Sequence, residues 1–226
     1  MPLILHLETA TTVCSVALAE QGKIIDYHEI NEGYKHDESL VFFVQQLLLK
    51  NNIKTQDLQA IAVSAGPGSY TGLRIGVSAA KGFCAALNIP LITLSTLHIL
   101  AEAFVATHPH FDGLLAPMLD ARRMEVYTAL FTNNLERLTP DAPLVVDNSA
   151  FSTQLLNQKI AFFGNGALKC QETITHSNAN FTANIEVSAR YMCQAAYKAY
   201  QKQVFADLAY FEPYYLKPFQ AGVKKV

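Results

Sequence analysis

Three segments of the chain carry residue types that can hold an ion or an anionic ligand. Glu8-Thr-Ala-Thr-Thr sets a carboxylate beside the hydroxyls of Thr9, Thr11 and Thr12. Folded as a turn, it presents side chains and backbone N–H groups together and can cradle a phosphate. It suits equally a polar hairpin connection whose threonine hydroxyls bond to nearby backbone. Ala65-Gly-Pro-Gly-Ser-Tyr-Thr-Gly-Leu-Arg-Ile-Gly follows a compact apolar run and opens a helical pattern, so N–H groups at the helix start can attract an anion. A P-loop needs a Lys followed by Ser or Thr after its second glycine; Ser69, Tyr70 and Thr71 stand there instead, so ATP hydrolysis at this loop is not expected. Asp120-Ala-Arg-Arg-Met-Glu-Val-Tyr offers Asp120 to position a cation or a water, while Arg122 and Arg123 can equally neutralise it as a turn salt bridge.

Metal and nucleophile chemistry find no comparable foothold. Helical metal ligands converge from close spacing such as i and i+4, yet His36 is followed at the fourth position by Leu40. His108 and His110 flank Pro109 in a linker-like stretch, and His6, His28, His98 and His176 stand alone. No GxSxG elbow and no Cys/His pair within one motif occurs. The expectation is no catalytic residue and no metal site.

The elements that must position these segments repeat. Leu3 to Leu7, Val13 to Ala19 and Lys23 to Ile30 have strand patterns and form an antiparallel meander. A helix follows from about Asp37 to Lys50, with Leu40, Phe43, Val44, Leu47 and Leu48 on one face. Then come a strand (Ala60 to Ser64), a helix (Gly72 to Leu87), a strand (Pro90 to Leu94) and a helix capped by Ser95. After the turn-prone stretch Thr107 to Gly113, Leu114 to Leu119 and Glu125 to Phe131 restart the strand-turn-strand opening. Ile160 to Phe163 is a further strand, and Ser188 to Gln203 a long helix. Two α/β lobes are expected, residues 1–105 and 106–226, with the last segment packing back on the first lobe. In the helix after the glycine-rich loop, Gly72, Gly76, Ala79 and Ala80 keep the surface flat enough for another helix to approach, or for ordinary packing on the lobe's own sheet.

Composition limits the functions available. With 226 residues, 50% hydrophobic and 16% charged, the chain is a folded globular protein. A net charge of −2 supplies no field for gripping a polyphosphate backbone, so any RNA is expected to be held through another subunit. Cys14, Cys84, Cys170 and Cys193 lie far apart and fit a reducing cytoplasm, and no apolar stretch is long enough to span a bilayer.

Four stretches taken together resemble the TsaB (YeaZ) family of bacterial tRNA threonylcarbamoyladenosine biosynthesis proteins, of the glycoprotease-like branch of the actin/Hsp70/sugar-kinase (ASKHA) fold. They are Leu3 to Leu18, Ala65 to Gly76, Leu94-Ser-Thr-Leu and Leu119 to Tyr127, in that order along nearly the whole chain. The resemblance implies an α/β, two-lobed, ribonuclease H-like fold with mixed sheets flanked by helices. It implies a weak, vestigial nucleotide cleft at Glu8, Thr9, Thr11, Thr12, Asp120, Gly164 and Gly166, and no cofactor. It further implies a non-catalytic scaffold that binds the catalytic paralogue TsaD together with the small ATPase TsaE, forms a homodimer when alone, and meets tRNA only through the complex. In that family the paralogues associate through the helices of the first lobe, which assigns Leu40, Phe43, Val44, Leu47, Gly72, Gly76, Ala79, Ala80 and Phe83 to the partner surface. Where the catalytic relative has a histidine pair, this chain has His36-Asp37-Glu38-Ser39-Leu40. The alternatives are a glycoprotease-like or ATP-dependent transferase enzyme, or a self-contained homodimeric binding module.

Overall fold

A computed structural model describes residues 1–31 and 36–217, the side chains of residues 36–38 excepted. The expectation placed on the His36 side chain falls outside the described residues. Strands β1 (Leu3–Glu8), β2 (Cys14–Glu20) and β3 (Lys23–Ile30) form the expected meander. Helix α1 (His36–Lys50) leads to β4 (Ala60–Gly66), α2 (Tyr70–Leu87), β5 (Leu91–Ser95) and α3 (Thr96–Thr107). The second half holds β6 (Leu114–Asp120), β7 (Glu125–Thr128), β8 (Ala142–Val145), the short α4 (Ser152–Leu155), β9 (Ile160–Phe163), β10 (Ala179–Thr182) and α5 (Cys193–Gln201).

The halves share one topology. The first sheet runs β3-β2-β1-β4-β5 and the second β8-β7-β6-β9-β10. In each, the opening strand pairs antiparallel with the next strand and parallel with the fourth. β1 is buried along its whole length because both faces of the first sheet are covered. Leu3, Leu5 and Leu7 meet α1 and α2 on one face, whereas Ile4 on the other joins a core shared by both sheets. Helix α3 fills that shared core with Leu97, Leu100, Ala101 and Phe104, whose ring stacks on Phe163 of β9 at 4.4 Å.

Caps set the helix boundaries. Ser69 Oγ accepts from Gly72 N–H (3.3 Å) to start α2, which ends where Asn88 turns left-handed (φ 54°). Ser95 caps α3 by accepting from His98 N–H. The expected helix Ser188 to Gln203 is shorter: Ser188 is extended, a 3₁₀ turn covers Ala189–Tyr191, and α5 begins only at Cys193. Ser188 is held out of the helix by its neighbours, its hydroxyl donating to Glu29 at 2.5 Å while Ala189 N–H donates to Ser15 Oγ at 2.9 Å. From there the chain returns to the first sheet. Gln194 Nε2 donates to Gly22 O, Ala206 N–H to Leu91 O at 2.8 Å, and Tyr214 N–H to Ala65 O at 2.6 Å.

The residues assigned to a partner surface need correction. Leu40, Phe43, Val44 and Leu47 are buried against the first sheet, with the Phe43 ring 4.1 Å from the His28 ring. Gly72, Gly76 and Ala80 are likewise interior, because α2 lies directly on the β1–β2 turn. A Cβ on Gly72 would meet Thr9 O at 2.0 Å, and one on Gly76 would meet Thr9 Oγ1 at 2.3 Å. Ala79 and Phe83 are only partly covered. The outward residues are Val41, Phe42 and Leu49 on α1, with Ser78, Gly82, Ala85 and Ala86 on α2.

Candidate functional site

A cleft of about 580 Å³ opens between the two sheets at the ends of β1, β4 and β6. Its lining includes Thr11 and Thr12 from the β1–β2 turn, Pro67 to Thr71 from the glycine-rich loop, and Asp120 and Arg122 from the β6–β7 hairpin. Three of the seven expected nucleotide-cleft residues, Thr11, Thr12 and Asp120, thus share one cavity.

The other four lie behind its walls. Glu8 and Thr9 are fully buried. Glu8 accepts a 2.6 Å hydrogen bond from Ala10 N–H through Oε1, while Oε2 is buried without a partner. Burial raises the Glu8 pKa to about 7, outweighing the Ala10 N–H that favours the ionised form. The Ser64 hydroxyl on β4 opposes that rise while falling short of hydrogen-bond geometry to Oε2. The glycine-rich loop is the lid over this turn: Ser69 N–H donates to Ala10 O at 2.7 Å, and a Cβ on Gly68 would meet that oxygen at 2.4 Å. Thr9 spends its hydroxyl on Gly72 O (2.7 Å). A covered carboxyl whose burial favours the protonated form, and a hydroxyl already committed to Gly72 O, are poorly placed to hold the cation of a bound nucleotide. Gly164 and Gly166 are correspondingly sealed against β6, where their Cβ positions lie 2.5 Å from Met118 O and 2.8 Å from Asp120 N. Between them Asn165 reaches the lining and accepts from Asp120 N–H at 2.9 Å.

Asp120 is neutralised by a residue outside its own motif. Lys169 Nζ pairs with Asp120 Oδ1 and donates to Arg123 O (2.6 Å) and Glu125 O (2.7 Å), knotting the hairpin. The mouth of the cleft is finished by the returning tail. Tyr215 packs on Tyr70 with ring centroids 4.6 Å apart, and Lys217 pairs with Glu125 across the opening. Lys169 and the Tyr214–Lys217 wall are absent from the expected site, and no local pattern marks them, since each contact joins segments far apart in the chain; Tyr127 is not among the expected site residues although it closes the motif that begins at Asp120. Asn165 is the exception, enclosed by two glycines already singled out.

Two sheets of one duplicated order around a cleft of this kind define a two-lobed ASKHA protein, and component A of the (R)-2-hydroxyglutaryl-CoA dehydratase of Acidaminococcus fermentans shares the fold (TM-score 0.53, 9% identity, 90% of this chain and 100% of that one). A crystal structure from Pseudomonas aeruginosa, described as having similarity to peptidase YEAZ, superposes at TM-score 0.86 and 25% identity over 96% of this chain and 100% of that one. The family model for TsaD, tRNA N6-adenosine threonylcarbamoyltransferase, matches residues 30–224. The tRNA threonylcarbamoyladenosine biosynthesis protein TsaB of Bacillus subtilis is 34% identical over 164 residues, covering 71% of this chain and 70% of the relative. TsaB of Escherichia coli is 35% identical over 126 residues, so the match spans about half of each chain, 56% and 53%. The chain belongs to the TsaB/YeaZ family.

Proposed function

We propose that this chain serves tRNA threonylcarbamoyladenosine biosynthesis as a non-catalytic subunit that holds the catalytic paralogue TsaD in an assembly with the ATPase TsaE, in the cytoplasm. Its relatives' names support the pathway. The covered Glu8, its pKa raised by burial, supports a cleft that no longer runs nucleotide chemistry.

The observation that carries the scaffold reading is the outward face of α1 and α2. These helices pack side by side on one face of the first sheet and leave Val41, Phe42 and Leu49 between 54% and 64% exposed. On α2, nothing stands within 4 Å of a Cβ built on Gly82, beside exposed Ser78, Ala85 and Ala86. A large apolar group next to small residues on an adjoining helix admits a second helix pair at close range. With TsaD absent, a second copy of this chain is the partner.

Gly82→Leu tests the reading without touching the interior. It should leave the monomer folded while overpacking the interface by about 1–3 kcal/mol, a loss of roughly 5- to 150-fold in affinity for TsaD in a titration by calorimetry. Unchanged affinity would remove this face from the interface.

A further inference from the structure

The tip of the β6–β7 hairpin carries a feature that the scaffold role leaves unused. Arg122 and Arg123 are consecutive residues in the left-handed region, with φ of 69° and 50°. An L-residue with a bulky side chain is costly there, and tight hairpins ordinarily use Asn or Gly. The strained conformation is over-determined from behind. Ala121 N–H donates to Glu125 O at 3.1 Å, Glu125 N–H to Arg122 O at 3.2 Å, and Arg122 N–H to Asp120 Oδ1 at 3.0 Å. Lys169 supplies the remaining braces, through Arg123 O and Glu125 O.

Both arginine side chains are exposed, and neither guanidinium has a hydrogen-bond or ion-pair partner among the described residues. The two carboxylates of the hairpin are already spent, Asp120 on Lys169 and Glu125 on Lys217. A locally cationic rim therefore stands on a chain whose net charge is −2. Beside it, Tyr70, Tyr127, Tyr214 and Tyr215 line the cleft. Two exposed arginines are the chemistry of a phosphate contact, and Tyr214, 53% exposed in the same cleft lining, offers a ring face for an unpaired base, whereas Tyr70 is already packed with Tyr215 and Arg74. Strain maintained at two consecutive exposed residues points to a function at that tip.

We infer that the Arg122–Arg123 tip is an RNA contact, taking two phosphates of an unpaired tRNA segment at the cleft mouth while the catalytic partner holds the rest of the tRNA. The inference rests on the pathway reading above. It also differs from the expectation that RNA is met only through another subunit.

The doubly substituted chain Arg122→Gly, Arg123→Gly separates fold from function. Glycine relieves the left-handed strain, so its melting temperature should rise by roughly 2–4 °C. Binding of an unmodified tRNA transcript to the complex with TsaD, followed by fluorescence anisotropy, should weaken about three- to tenfold, and the slope of log K against log salt should fall by about 1 to 2. The Arg122→Lys, Arg123→Lys variant should keep most of the affinity. An unchanged affinity and slope in an intact complex would overturn the inference, as would a loss seen only with ATP or inorganic phosphate. If gel filtration shows that no complex forms with TsaD, the scaffold reading fails by itself, and the same titration on the chain alone at low salt decides the arginines. RNA binding lost in the glycine variant upholds them, whereas equal binding, or none in either chain, overturns them.

Discussion

Glu8 and His6 leave β1 on the same face, and burial favours the uncharged form of each, shifting the two pKa values in opposite directions. Desolvation raises the Glu8 pKa from 4.5 to about 7 and lowers that of His6 from 6.5 to about 4, against its hydrogen bond with Ala17 O. The raised carboxyl contributes stability that is complete below pH 4.5 and lost as pH rises through about 7. The depressed imidazole contributes stability that is complete above pH 6.5 and lost as pH falls through about 4. Between these limits the two slopes oppose each other, each amounting to on the order of 3 kcal/mol in all. Glu8→Gln should therefore gain stability relative to the parent as pH is raised from 4.5 to 7, leaving the acid loss from His6 uncompensated. Urea unfolding across this range measures it, and a pH-independent difference between the chains would contradict a raised Glu8 pKa. Sequence alone shows Glu8 beside three threonines and invites a ligand site. Whether a carboxyl is covered depends on the loop above it, here residues 66–72, which no local pattern reveals.

Helix α2 has two small-residue faces, and the element makes opposite use of them. Gly68, Gly72 and Gly76 seat the loop and the helix start on the turn Thr9–Ala10. Gly76→Ala should consequently destabilise by about 1–3 kcal/mol, through the clash with Thr9 and the loss of its bond to Gly72 O. Gly82→Ala meets open space and should stabilise by about 0.5–1 kcal/mol, because alanine loses less backbone entropy in a helix. Thermal melts of the two variants distinguish the faces, and equal effects would mean that the helix is rotated from the position described. The 3.6-residue period made both helices legible in the sequence. It did not rank their faces, since Gly76 and Gly82 are chemically identical and only the distance to Thr9 separates them.

At the scale of the whole molecule, the first sheet does not complete itself. One of its faces is covered by the 3₁₀ turn at Ala189–Tyr191 and by α5, through Ala189, Met192, Cys193 and Ala196 in the shared core. A fragment ending at Thr107 should thus expose Ala17, Ala19 and Ile92 and fail to fold cooperatively, with dye binding and no sharp melt. A sharp transition in that fragment would show that the return is dispensable. The sequence by itself determined the strand and helix segments, their duplicated order and the turns that could bear chemistry, because period, caps and glycine placement are local properties. It missed β8 and β10, short strands without strong alternation, and it overran the helix at Ser188. Only the tertiary structure decided which turn residues reach the cleft, that Lys169 rather than an arginine neutralises Asp120, and that the tail walls the opening. Those outcomes depend on contacts such as Lys217 with Glu125 and Ala189 with Ser15, 92 and 174 residues apart in the chain, whose partners are selected by the packing of the two sheets and by nothing in their own neighbourhoods.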